Sequence, residues 1–153
     1  MMLTSLADQL HAAIQEEIRF AQELVGLGME KREALVQADT AAVDVLTGRE
    51  QRILMTLGAA GTLRMQLTSR LGEMVGLAKY SVTEISGKIG EPHATRLRSS
   101  ADRLKTALTE LTQITKTNQA LTQESMSFVK TFFGLLGSNS QENVGYSKPG
   151  FSP

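Results

Sequence analysis

The stretch that decides the fold is "ALTELTQITKTNQALTQES", residues 107–125. Apolar side chains recur in it at the spacing of an amphipathic helix, with Leu111, Ile114 and Leu121 among them. Asn118 lies where this spacing calls for another leucine. A buried asparagine in a coiled coil commonly sets register or oligomeric state at a cost in stability. The alternative is a surface that pairs weakly with its own chain and is completed by another helix, and the pattern alone favours neither.

The same periodicity continues on both sides of this stretch and predicts one long helix from about Pro92 to about Leu136. Its seam residues follow steps of three and four: Leu97, Ala101, Leu104, Leu108, Leu111, Thr115, Asn118, Thr122, Ser125, Val129, Phe132 and Leu136. A flanking apolar row follows at intervals of seven: Ile114, Leu121, Phe128 and Leu135. A helix of this length is typical of a coiled-coil partner, because a compact globular core rarely needs such reach.

Two further long helices are predicted upstream. Apolar residues at three and four residue steps indicate the first one, over residues 4–36. Asp39 is a good N-cap, so the second helix is expected to begin at the next residue. Its seam contains the charged residues Glu50 and Arg64 among the leucines. The later half of this helix contains several glycines, and we expect it to bend or fray there.

A short helix is predicted between the second and last helices. Ser81 and Glu84 have the spacing of a capping box, and a glycine and a proline end the segment. The predicted fold is therefore all-α: an elongated antiparallel helical bundle or coiled coil of two or three long helices plus one short helix. We expect residues 1–137 to form this helical domain. Residues 138–153 have the small, polar composition of a disordered, flexible C-terminal tail.

Composition excludes several function classes. The 16 basic and 16 acidic residues cancel at a pI near 6.7, which argues against binding of nucleic acid or of an anionic lipid surface. The sequence contains no cysteine and no catalytic constellation, and we expect its only histidines, His11 and His93, to be exposed and without function. No segment is long and apolar enough for stable membrane insertion. We therefore expect a cytoplasmic protein that is not an enzyme and needs neither cofactor nor metal.

The first and last helices differ in charge. Residues 4–36 carry six acidic and three basic side chains, whereas residues 96–130 carry six basic and three acidic ones. We expect these two helices to attract each other and to pack antiparallel. Exposed ion pairs contribute only about 0.2 to 1 kcal/mol each, so the preference is weak.

An amphipathic helix with a polar seam suggests a binding function. Upstream of Thr115 the seam is apolar enough to hold the chain's own helices together. Downstream, a polar seam lies beside an apolar flank, and such a surface could receive an amphipathic helix from a client protein or from a second copy of the chain. These two interpretations have equal weight on physical grounds.

Three segments resemble a known family. They are "KREALVQADTAAVDVLTGREQRIL" at residues 31–54, "LTQITKTNQALTQESMSFVKTFFGLL" at residues 111–136, and "YSKPG" at residues 146–150. Together with the order of the helices, they resemble the FlgN family of flagellar type III export chaperones over essentially the whole chain.

The resemblance implies a cytoplasmic chaperone without a cofactor. It would bind the C-terminal helical ends of hook-filament junction proteins, which are also called hook-associated proteins, prevent their premature assembly and deliver them to the export gate. The client-binding residues carried over by the resemblance are Leu111, Ile114, Asn118, Leu121, Ser125, Phe128, Val129 and Phe132. Tyr146 would contact the export gate. The alternative is a structural coiled-coil or adaptor protein that self-associates without chaperone activity, and homo-oligomers of the client-free chaperone also fit the sequence.

Overall fold

Four helices make up the part of the chain that the structure, a computed structural model, describes, which is residues 2–78 and 80–122. They are α1 (Met2–Val36), α2 (Thr40–Met74), α3 (Val82–Ile89) and α4 (His93–Thr122). No strand occurs among these residues. The all-α prediction, with long helices and one short helix, is confirmed. The predicted continuation of the last helix to Leu136 and the C-terminal tail lie outside the described residues.

A tight turn joins α1 to α2. The Asp39 amide donates to the Ala34 carbonyl at 2.9 Å, and the Ala38 amide donates to the Leu35 carbonyl at 3.1 Å, which is the Schellman pattern of a helix C-terminus. Ala38 has a φ of 56°, in the left-handed region that this pattern requires. The Asp39 side chain then accepts from the Ala42 amide at 3.1 Å and caps α2, as predicted. Asp39 therefore closes the C-terminus of α1 with its backbone amide and caps the N-terminus of α2 with its side chain.

The α1–α2 hairpin is antiparallel and unbroken. Two side-chain pairs cross it with residue numbers that run in opposite directions: Glu17 with Arg64, and Lys31 with Glu50. The later half of α2, where we expected the helix to bend or fray, is continuous helix through Gly58 and Gly61 to Met74. Burial of Gly61 against the rest of the protein offsets the low helix propensity of glycine.

The short helix α3 leads the chain into α4. The Ser81 hydroxyl accepts from the Glu84 amide at 3.2 Å, so the predicted N-cap is confirmed. Gly90 ends the helix with a φ of 82°, a conformation that favours glycine. The buried face of α3, with Val82 and Ile85, packs into the same core as α1 and α4.

Helix α4 runs parallel to α1, which differs from the antiparallel prediction for this pair. Three hydrogen bonds join the two helices, and the residue numbers of both partners rise together: Asp8 with Arg96, Gln15 with Arg103, and Gly28 with Asn118. The sequence separations are 88, 88 and 90. The prediction was wrong because α2 carries the chain back before α4 begins, and a difference in total charge contains no information on direction.

Helix α1 is the central element of the fold. It packs along both α2 and α4, whereas α2 and α4 make few direct contacts with each other. The most deeply buried apolar side chains come from all four helices: Leu10, Ile14, Leu57, Leu71, Ile85, Leu97, Leu104 and Leu108. Both flanking helices therefore depend on α1 for most of their buried surface.

Candidate functional site

The predicted client-binding residues divide into described and undescribed sets. Four of them, Leu111, Ile114, Asn118 and Leu121, lie on the last turns of α4. The others lie outside the described residues: Ser125, Phe128, Val129, Phe132 and the tail residue Tyr146.

Asn118 lies within the interface between α4 and α1. Its side-chain amide donates to the Gly28 carbonyl at 2.9 Å and is buried. Gly28 permits this close approach because it has no side chain, since a Cβ atom there would lie 2.9 Å from Cγ2 of Ile114. Asn118 therefore pairs within its own chain, in contrast to the interpretation of a surface that pairs weakly with its own chain. Leu111 is buried too, so a client would reach Leu111 or Asn118 only after α4 separated from α1.

The flanking row of α4 becomes exposed toward its C-terminal end. Successive members at intervals of seven have exposed fractions that rise along the helix: Ser100 1%, Ala107 3%, Ile114 8% and Leu121 51%. The first three are covered by the protein's own helices, and the fourth is not. An apolar row thus emerges from the core at the last described turn of α4.

A groove lies between α1 and α4 beside this emerging row. It has a volume of about 330 Å³ and is lined by Val25, Met29 and Arg32 of α1 and by Glu110, Gln113, Ile114 and Thr117 of α4. Met29 is 60% exposed, so the α1 wall presents an open apolar side chain next to the charged Arg32. Sequence reasoning found Ile114 and missed this wall. The available signal was the pair Val25 and Met29, two apolar residues four apart that lie off the core stripe of α1.

Two polar pairs fix the α1–α2 hairpin on the other side of α1. The Arg64 guanidinium donates to the Glu17 carboxylate at 2.6 Å, and both side chains are buried. Burial raises the pKa of Glu17, and the charge of Arg64 opposes this shift. The Lys31 ammonium donates to Glu50 at 3.1 Å. The charged residues predicted in the seam of α2 therefore have charged partners on α1, which the sequence pattern did not identify.

The two histidines lie near the start of the α1–α4 interface. His93 Nε2 lies 3.2 Å from Oδ1 of Asp8. His11 and His93 are both half-buried, so the prediction that they are exposed is wrong, and the Nδ1 atom of His11 is buried without a hydrogen-bond partner. Burial lowers the pKa of His11, the positive charges of Arg96 and Arg103 lower it further, and Asp8 opposes them. Within residues 2–78 and 80–122, no three acidic or histidine side chains are grouped as metal ligands.

No helix in the described part of the chain has the length and apolar character needed to cross a bilayer.

These features define an all-α coiled-coil protein with an open groove, lined by both apolar and polar side chains, between two parallel helices. The family model described as "FlgN protein" matches residues 1–152, and the chain belongs to the FlgN family, a family of flagellar export chaperones. No curated protein and no solved structure gives a significant match to this chain.

Proposed function

We propose that this protein is a cytoplasmic chaperone for hook-filament junction proteins. It binds their C-terminal helical ends, prevents premature assembly and delivers them to the type III export gate. Membership of the FlgN family supports the general role of flagellar export chaperone. The exposed end of α4 supports the place where the client binds.

The observation that carries the proposal is the emergence of the apolar row at Leu121, near the point where its intramolecular partner ends. Because partners on α1 and α4 are 88 to 90 residues apart, Val36, the last residue of α1, lies level with about residues 124–126. The sequence continues the apolar row to Phe128 and Leu135. If the helix continues as predicted, these residues pass beyond the end of α1, and a helix from another protein is needed to cover them.

The proposed client surface therefore begins at Leu121 and continues through Ser125, Phe128, Val129 and Phe132. The buried residues Leu111, Ile114 and Asn118 join it only if α4 separates from α1. In this proposal residues 1–137 form the chaperone domain, and residues 138–153 form a flexible tail that presents Tyr146 to the export gate.

The test uses the purified full chain and a synthetic peptide with the C-terminal helical sequence of a junction protein. We expect a one-to-one complex by light scattering and a gain of helical signal by circular dichroism. A stable homodimer that ignores the peptide would contradict the proposal and support the self-associating coiled-coil protein instead.

A single substitution locates the surface. Leu121→Asp places a charge on the emerging row, and burial of that charge under a client helix would weaken binding by at least about tenfold, or 1.4 kcal/mol. Val45→Asp is the matched control, because Val45 is 63% exposed on α2. Equal affinities for the two variants would remove Leu121 from the client site. Loss of all helicity in Leu121→Asp would instead identify it as a core residue.

A further inference from the structure

We propose that the last turns of α4, residues 113–122, open from α1 as a unit while the rest of the protein stays folded, and that the hydrogen bond from Asn118 to the Gly28 carbonyl sets how often they open. The opening is a property of the chain without a client. Its consequence, access of a client to the buried part of the proposed surface, rests on the proposed function and deepens it.

The contact between α4 and α1 becomes less apolar toward the end of α4. Before Leu111, three leucines of α4 have exposed fractions of 1% or less: Leu97, Leu104 and Leu108. After Leu111, Ile114 is the one buried apolar side chain in the described part of α4, and the next buried position is Asn118. Most of the stability of a helix in a protein comes from its packed apolar face. The last turns are therefore held more weakly than the first.

The last turns of α4 also have fewer neighbouring helices. Helix α3 spans about 12 Å and leads directly into α4, which spans about 45 Å, so α3 packs against the first half of α4. Helix α2 makes few direct contacts with α4. Within the described residues, the last turns thus depend mainly on α1. On one side the groove of about 330 Å³ interrupts even this contact, and its α4 wall runs from Glu110 to Thr117.

The hydrogen bond of Asn118 can break without leaving the Gly28 carbonyl unpaired. Gly28 lies inside the continuous helix α1, so its carbonyl also accepts from the backbone amide four residues later. A carbonyl oxygen has two lone pairs and can accept both bonds. When the turns open, the carbonyl keeps its helical partner, and water hydrates the side-chain amide of Asn118. The free energy of opening therefore includes no penalty for an orphaned carbonyl.

Gly28 is also the point of α1 at which two side chains of α4 are held. Ile114 packs so closely over Gly28 that a Cβ atom there would lie 2.9 Å from Cγ2 of Ile114. Asn118 contacts the carbonyl of the same glycine, one turn further along α4. Loss of this contact point releases both side chains together. For this reason we expect residues 113–122 to open as a unit and not residue by residue from the end.

Opening joins the buried and the exposed parts of the proposed client surface. Ile114 and Leu121 are seven residues apart and lie on one face of α4, but Ile114 is 8% exposed and Leu121 is 51% exposed. Asn118 lies between them in the sequence and is buried in the closed state. A client that contacts all three side chains binds only the open form. The open fraction then limits the apparent affinity.

The first experiment measures hydrogen exchange of the full chain by NMR, with no client present. Turns that have separated from α1 are too short to remain a stable helix, so their amides exchange. We expect amides 115–121 to exchange at least about tenfold faster than amides 101–108, with one common opening constant and little dependence on low urea concentrations. Opening constants that rise steadily toward Thr122 would indicate fraying of a helix end, and equal protection in the two ranges would indicate no local opening. Either result overturns the inference.

The second experiment perturbs the contact from each helix. Asn118→Ala removes the donor, and exchange at residues 115–121 should become about two- to tenfold faster, the range for one lost hydrogen bond. Alanine has the higher helix propensity, so a weaker helix cannot explain this increase. Gly28→Ala displaces Ile114 from the α1 side and should raise the same rates. Gly26→Ala is the matched control, because a Cβ atom at Gly26 has no neighbour within 4 Å. Unchanged rates in Asn118→Ala would overturn the role of the hydrogen bond.

Binding of the junction-protein peptide separates this inference from the proposed function. Gly28→Ala leaves every residue of the proposed client surface unchanged, so its affinity for the peptide should rise by the factor by which its opening rises. Titration calorimetry measures this affinity. Equal or weaker binding by Gly28→Ala, despite faster exchange, would overturn the link between opening and client access. If the unmodified chain binds no peptide, the proposed function fails together with this link, whereas the opening itself is decided by hydrogen exchange alone.

Discussion

Removal of the Glu17 charge is the sharpest test of how the hairpin is held together. Glu17 and Arg64 meet at 2.6 Å, with side-chain exposures of only 5% and 3%. In Glu17→Gln the amide keeps the shape and can still accept one hydrogen bond, but the guanidinium of Arg64 stays charged inside the protein. Breaking a buried ion pair by removing one partner typically costs about 3 to 5 kcal/mol. We expect a loss of stability in this range.

The neighbouring residue supplies the control. Glu16 pairs with Arg19 at 2.8 Å, a similar distance, but these side chains are about half exposed. Water screens this pair, so Glu16→Gln should leave stability almost unchanged. The assay is urea unfolding monitored by far-UV circular dichroism. The free energies of unfolding are compared between variants for which this free energy has the same slope against urea concentration.

A double substitution tests the reason for the loss. Glu17→Met with Arg64→Met removes both charges and fills the space with apolar atoms, and buried pairs replaced in this way are often neutral or about 1 to 4 kcal/mol more stable. The reasoning would be refuted if Glu17→Gln cost no more than Glu16→Gln. It would also be refuted if the double variant were as unstable as Glu17→Gln.

Four further outcomes are expected. Ala38→Gly should stabilise the protein by about 0.5 to 1 kcal/mol, because Ala38 has a left-handed backbone conformation, and thermal unfolding measures this. Asp39→Ala should cost about 0.5 to 2 kcal/mol through loss of the α2 cap. The free energy of unfolding should fall as pH decreases below about 6.5, because the lowered pKa of His11 makes the folded state bind a proton at His11 less readily than the unfolded state does. Urea titrations at a series of pH values measure this, and His11→Gln should flatten the dependence in this range. An unchanged pH profile in His11→Gln would contradict the role of His11. Gly28→Ala should loosen the end of α4, because Ile114 must move from a 2.9 Å contact, and faster hydrogen exchange in the last turns of α4 would show it.

Local chemistry made the helices predictable from the sequence. The side chains of Asp39 and Ser81 each accept a hydrogen bond from a backbone amide three residues later, so both caps depend only on residues nearby in the sequence. Apolar spacing likewise depends on the period of the helix and not on its neighbours. For this reason the starts of α2 and α3 lie where they were expected.

Features that depend on two distant residues were less predictable. The partner of Asn118 is a backbone carbonyl, that of Gly28, and no side-chain pattern identifies a carbonyl as a partner. The parallel direction of α4 follows from the path of the chain through α2 and not from the charges of α1. The α1 wall of the groove was missed because Val25 and Met29 line a groove only when α4 lies beside them.

The two polar pairs across the hairpin have a consequence for the order of folding. On each helix the charged residues are fourteen apart, so a slide of one heptad would leave Glu17 facing Leu57 or Leu71 in place of Arg64. The first two helices thus align themselves by contacts made entirely within the first 74 residues. During synthesis the α1–α2 hairpin can therefore form before α4 is complete, so that α4 packs against a hairpin whose register is already set.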